Sequence, residues 1–198
     1  SVINAVNNIN KKISDKLNNL NPNQQENIDK ILLELDGSEN KTNLGANALL
    51  AVSLANAKCA AISNKKSLFK NLGSSYSLPL PLMNIINGGA HADNDLNIQE
   101  FMIRPDSAKN FTDAIEKCFV VIQNLKKLLQ SKKMLTNVGD EGGFAPSINS
   151  NEEALDLIVQ AIEKSKFKPG NDVVICLDVA ANELINEKGE YSVQSSNF

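Results

Sequence analysis

Three carboxylates stand where this sequence could do chemistry: Glu100 in NIQEFMI, Glu141 in GDEGG and Asp178 at the end of VVICLD. Each lies within, or at the end of, a run that reads as a β-strand. The carboxyl ends of strands form the active-site face of α/β folds. A carboxylate buried there without a partner is costly, so an acid at such a position needs a partner or a task. Converging carboxylates suit a hard divalent cation such as Mg²⁺, which takes oxygen ligands and keeps several waters. They equally suit acid–base work, because crowding raises the proton affinity of one of them. The chain's single histidine, His91, follows a Gly-Gly pair in NGGAHADN, upstream of Gln99 and Glu100.

Each of these residues also has a purely structural reading. Asp178 could cap the next helix. Glu100 could pair with a surface lysine. Asp140-Glu141-Gly142-Gly143 could be an ordinary charged turn. His91 could be a hydrogen-bonded loop residue, and Asp93 and Asp95 read as solvated loop acids. The residues alone therefore lead to an α/β protein with metal-assisted acid–base chemistry as one reading among these.

Composition excludes several classes. The chain has 198 residues, 42% of them apolar, which suffices for one core and part of another. A net charge of −3 gives no basic field for nucleic acid. Arg104 is the only arginine, so most of any phosphate site built on arginine forks must lie elsewhere. Asparagine is so frequent that a single one carries little signal. One histidine excludes zinc sites that need two. Cys59, Cys118 and Cys176 are far apart and odd in number, and read as buried free thiols in a reducing cytosol. No apolar run of roughly 18 residues and no charged-then-apolar leader is present, so neither a membrane span nor a signal peptide is expected. Ser1 falls inside a helical pattern and Phe198 soon after a strand, so both ends read as cut.

The elements that must position these side chains follow from periodicity. Val2, Ile3, Val6, Ile9, Ile13 and Leu17 predict one face of a helix. Asn21-Pro22 predicts the start of a second helix, ended by Asp36-Gly37. Residues 44–62 are Ala-rich and apolar nearly all round, predicting a helix buried on most sides. After residue 73 the character changes. LPLPLMNIINGG and NIQEFMIRP predict strands, residues 110–130 a helix, and TNVGDEGGFAP a short strand running into a glycine turn. Ser150 and Glu153 form an S-x-x-E capping box that opens a helix to about Lys164. Lys168-Pro169-Gly170 turns the chain. VVICLD, fully apolar before its acid, predicts a strand buried on both faces of a parallel sheet.

Two long motifs, MNIINGGAHADNDLNIQEFMI and NVGDEGGFAPSINSNEEAL, with the short LDVA after them, closely resemble the enolases. The earlier stretch ELDGSENKTNLGANALLAVSLANAKCAA resembles the end of the enolase capping domain, so the likeness covers the whole chain in order. It implies an α/β fold: residues 1–73 as the helical part of an α+β cap, and 74–198 as the first part of a TIM-like barrel. That barrel opens with two strands and two helices before regular alternation begins. The resemblance further implies Mg²⁺-dependent, reversible dehydration of 2-phosphoglycerate to phosphoenolpyruvate in glycolysis and gluconeogenesis. In that chemistry a base removes the proton beside the carboxylate and metal holds the ene-diolate, as is typical of the enolase superfamily. By motif, His91 matches the mobile-loop histidine near the substrate phosphate, Gln99 and Glu100 match substrate-site residues, Glu141 matches the general acid, and Asp178 matches a Mg²⁺ ligand.

Departures are small: Leu82 replaces a usual methionine, and DVAANEL replaces a usual Ser-Ser-Glu-Phe after the aspartate. The family's lysine base, its other metal ligands and its substrate-gripping residues match no part of this chain. An inactive fragment of a cytoplasmic, homodimeric or larger enolase is therefore expected, with no nucleic acid partner. The competing expectation is a non-catalytic truncated homologue that binds or scaffolds. A related acid-sugar dehydratase or racemase fits less well, because GDEGG and GGAHADN are enolase features.

Overall fold

The structure is a computed structural model that describes residues 2–192. Ser1, at which the helical pattern was expected already to be under way, lies outside them. The chain divides into two units, Ser1–Ser77 and Leu78–Phe198.

The first unit is helical. Helix α1 (Val2–Asn8) runs through a π-helical turn (Ile9–Ile13) into α2 (Ser14–Leu17). The predicted single apolar face is realised only in part. Ile9, Ile13 and Leu17 pack on the core, whereas Val2, Ile3 and Val6 are exposed. A π-turn adds one residue and rotates the stripe by about 100°, so residues on either side of it cannot share one face.

Helix α3 (Gln25–Asp36) begins three residues later than predicted. The Asn21 side chain accepts from Asn23 N and its carbonyl from Gln24 N, which closes a turn rather than starting a helix. The end is as expected: Gly37 takes the left-handed conformation (φ 67°) and donates its N–H to Leu33 O.

Helix α4 (Ala46–Ser63) corrects a second expectation. Only Ala48, Leu49, Ala57, Ala60 and Ala61 are buried, while Leu50, Leu54 and Ile62 are exposed. Helices α1 and α3 cover one side. A helix apolar all round does not show which side will be covered. Cys59 is exposed on it, against the expectation of buried thiols. By length and composition α4 could cross a membrane, with a mean hydropathy of 1.3. Its polar residues nonetheless tie it to α3: Gln25 Nε2 donates to Ser53 Oγ at 3.0 Å, and Asn56 Nδ2 donates to Gln25 Oε1 at 2.8 Å. Helix α5 (Leu68–Leu72) packs on α4.

Asp36 holds the α3–α4 connection. Its carboxylate accepts from Leu44 N at 2.7 Å, from Ser38 N at 3.1 Å and from the Ser38 hydroxyl. The Ser38 hydroxyl, then the backbone donors, hold this carboxyl below its ordinary value despite burial. A lowered folded value contributes stability above the unfolded carboxylate range and loses it as pH falls through the folded value. Asp36→Asn is therefore expected to lower the urea midpoint at pH 6 and to cost progressively less toward pH 2. Equal losses at both ends would refute a charge-based role.

The second unit is a three-stranded sheet packed on two helices. Strands β1 (Met83–Asn87), β2 (Glu100–Arg104) and β3 (Val174–Asp178) lie in that order, both pairs antiparallel. Ile86, Phe101 and Ile103, each fully buried, face a core shared with α6 (Phe111–Ser131) and α7 (Asn151–Lys164). Helix α7 starts where its capping box predicts, and α6 starts one residue after the predicted 110. Asn110 Oδ1 accepts from Asp113 N at 2.9 Å and Ser150 Oγ from Glu153 N at 3.2 Å. The Glu153 carboxylate reaches back to Asn149 N, closing the capping motif.

Strand β3 corrects the reading of VVICLD. It pairs antiparallel with β2, and only Val173, just before it, is fully buried; Leu177 and Asp178 are exposed. Its apolar run reflects two faces that could be covered, but among the described residues only the helix-facing one is. The predicted TNVGDEGG strand reduces to single bridges, Val138 to Phe144 and Ile86 to Phe144.

Candidate active site

The strand register brings the acids together. Asn87 of β1 pairs with Glu100 of β2, and Glu100 pairs with Asp178 of β3. Directly opposed residues project to the same face, so these three form one polar row across the sheet. The row lies on the face opposite Phe101, at the carboxyl ends of β1 and β3.

Two glycine-built loops add the other side chains. Residues 88–99 fold back on themselves: Gly88 N donates to Gln99 O at 3.0 Å and Gly89 N to Leu96 O at 2.8 Å. A Cβ on Gly88 would lie 2.5 Å from Ile98 O, and Gly89 has φ +51°, so this crossing requires both glycines. The short turn Gly89–His91 then sets His91 Nδ1 3.6 Å from Glu100 Oε1. Their side chains are 22% and 14% exposed, so the pair is largely out of water.

The second loop is the turn 139–143, closed by Gly139 N donating to Gly143 O at 2.8 Å. It is anchored to β1 through Phe144 N to Ile85 O and Asn87 N to Phe144 O, both 2.9 Å, and to the histidine loop through Asp140 N to His91 O at 3.1 Å. Side chains at Gly139 and Gly143 would run into Asn87, which accounts for two glycines of GDEGG. Glu141 rides on this turn. One donor atom each from His91, Glu100 and Glu141 lies within 4.8 Å of the others.

The electrostatics follow from this crowding. The Glu100 carboxyl is raised above its ordinary value, first by burial, then by its hydrogen bond and charge interaction with Glu141, then by Asp178; His91 pulls the other way. Two carboxyl groups crowded in this way favour keeping a proton on the more buried one, Glu100. The surface-pair reading of Glu100 does not hold: its carboxylate faces His91, Glu141 and Asp178 rather than a lysine.

Asp178 stands beside Glu100 in the row but outside the close group of three. Its Oδ1 accepts from Ala180 N at 3.0 Å, ahead of a short 3₁₀ turn, Ala181–Leu184, so the capping reading is realised in part. Gln99 is half-buried and holds Gly88 through its backbone. Asp93 and Asp95 are exposed, as a loop reading expects. Asn84 and Asn87 do not stand out in a sequence this rich in asparagine. The overlooked signal is their place in MNIIN, where polar residues flank two buried isoleucines.

The donor sets differ in what they fit. In the close group Glu100 holds its proton above the ordinary carboxyl range, and His91 offers nitrogen, which Mg²⁺ does not favour. Asp178, an exposed carboxylate at a strand end, offers the hard oxygen that Mg²⁺ takes alongside water.

Known proteins resemble the chain over its whole length. A family model described as the enolase N-terminal domain matches residues 1–72, and one described as the enolase C-terminal TIM barrel domain matches 75–197. The enolase of Pelagibacter ubique is 60% identical over 200 residues, covering 100% of this chain and 48% of that protein. The enolase of Corynebacterium kroppenstedtii is 49% identical, covering 96% of this chain and 45% of the relative. That of Wolinella succinogenes is 46% identical, covering 98% and 46%. The chain thus spans about half the length of the curated relatives it matches. It belongs to the enolase family, matching that family's N-terminal domain and its C-terminal TIM barrel domain in an α/β chain.

Proposed function

We propose that this chain supplies the proton-donating side of an enolase active site, which dehydrates 2-phosphoglycerate to phosphoenolpyruvate and runs the reverse. The observation that carries the reading is the Glu100–Glu141 carboxyl pair with His91 beside it. Dehydration must protonate a departing hydroxyl. Glu100 keeps its proton above the ordinary carboxyl range, and beside it stands the accessible carboxyl of Glu141, a pairing that suits that step.

In this reading Glu141, the exposed member, delivers the proton to the leaving oxygen. Glu100, the buried member, holds and replaces it. His91 closes over the pair from its turn, next to the substrate phosphate, and Gln99 lines the substrate site beside Glu100. Asp178 would hold Mg²⁺, which when bound supplies positive charge to the substrate carboxylate and its ene-diolate. We place the activity in the cytoplasm, in a homodimer or larger assembly, as the resemblance implies. The scaffolding alternative has no specific observation in its favour.

The test is a full-length chimera in which these residues replace the matched segment of the Pelagibacter ubique enolase. Phosphoenolpyruvate formation that requires Mg²⁺ is expected. A folded chimera without turnover would refute the reading.

A further inference from the structure

We propose that the carboxamides of Asn84 and Asn87 are positioning residues for Glu141, forming a buried hydrogen-bonding seat beneath the 139–143 turn. The proposal rests on the proton-donor reading of Glu141.

Two observations carry it. The first is burial without partners. Asn87 is 0% exposed, and the side-chain nitrogen and oxygen of both asparagines are buried with no hydrogen-bond partner. A buried amide left unpaired is costly, and an aliphatic side chain would serve packing alone at these positions. An amide offers a donor and an acceptor together. The group that satisfies two such amides is small and hydrogen-bonds both ways, which is the chemistry of an ordered water molecule.

The second is where the amides point. A Cβ on Gly143 would overlap Asn87 Oδ1 and lie 3.0 Å from Asn84 Oδ1, so both side chains converge under one end of the turn. A Cβ on Gly139 would lie 2.9 Å from Asn87 Cβ, so Asn87 also underlies the other end. The turn is thus supported from below by the amides and held from the side by Asp140 N on His91 O. Glu141 projects from between these supports, and Asn87 heads the row that continues through Glu100 to Asp178. Shifting the amides tilts the turn and moves Glu141 relative to Glu100.

The test uses Asn87→Leu, which keeps the branched shape in a somewhat larger side chain and removes the amide's donor and acceptor. In the chimera, kcat is expected to fall at least tenfold with KM within about twofold of the parent, and Asn87→Ser, which restores a hydroxyl, to recover part of the loss. Hydrogen exchange on the 198-residue chain gives a readout independent of activity. The Asp140 and Gly139 amides should exchange at least tenfold faster in the leucine variant, with α6 and α7 unchanged. Unchanged exchange at Asp140 would overturn the seat, and so would faster exchange spread over both helices, since that is general destabilisation. Faster local exchange with undiminished turnover would instead overturn the Glu141 role. Should Asn87→Leu not fold, Asn84→Leu repeats both measurements against the same thresholds.

Discussion

Replacing Glu141 by Gln in the chimera is expected to lower turnover by roughly 10²–10⁴, the usual worth of a positioned general acid. The substitution keeps the shape and the hydrogen bond toward Glu100. It removes only the ability to give up a proton. Substrate affinity and Mg²⁺ affinity should change little, because Glu141 lies apart from Asp178 and outside the polar row of the sheet. The loss should therefore appear in kcat and kcat/KM together, the signature of an interaction made in the transition state. A second sign is expected in the pH profile. In the parent, Glu100 holds its proton higher than an ordinary carboxyl, first because it is buried and then because Glu141 bonds to it. With glutamine at 141 the charge repulsion disappears, so any rate limb governed by Glu100 should move to lower pH. Unchanged turnover would refute the acid role, whatever the profile showed.

Particular residues show how far the sequence was legible. Local signals worked where one residue decides the backbone. Gly37 ends α3, Asn110 caps α6, and Ser150 with Glu153 opens α7, all through hydrogen bonds within a few residues of chain. Signals failed where a neighbour distant in sequence decides. Whether α4 is covered on one side or several depends on what packs against it, and an Ala-rich helix shows no preferred face. The direction in which β3 pairs depends on β2, some seventy residues earlier. The candidate site divides in the same way. Strand-end acids at Glu100 and Asp178 could be read from the pattern. The meeting of His91 with Glu100 could not, because it is made by a loop crossing at Gly88 and Gly89. The likeness to enolases implied that both residues belong to the substrate site, and the fold supplies their contact. Asn84 and Asn87 were hidden by composition, since only burial distinguishes them from the many asparagines on the surface.

The chain by itself, without metal, is expected to bind neither 2-phosphoglycerate nor phosphoenolpyruvate with a Kd below about 1 mM, and to show no turnover. The reason is charge. Among the described residues, the polar row and the turn above it present the carboxylates of Glu100, Asp140, Glu141 and Asp178, with His91 as the one basic side chain beside them. The single arginine is engaged elsewhere: Arg104 donates from Nε and Nη2 to Asp106, at the other end of β2. A phosphorylated carboxylate brings more negative charge to this surface. At an effective dielectric near 20, each like-charge approach to about 4 Å costs on the order of 4 kcal/mol, which hydrogen bonds from Gln99 and His91 cannot offset. Mg²⁺ on Asp178 would relieve part of this repulsion but with one protein carboxylate would bind weakly, since such sites normally combine carboxylates with substrate phosphate. Calorimetric titration of the chain with phosphoenolpyruvate, with and without millimolar Mg²⁺, measures the effect directly. Saturable metal-free binding well below 1 mM would show that the chain carries its own anion site and would overturn the charge argument.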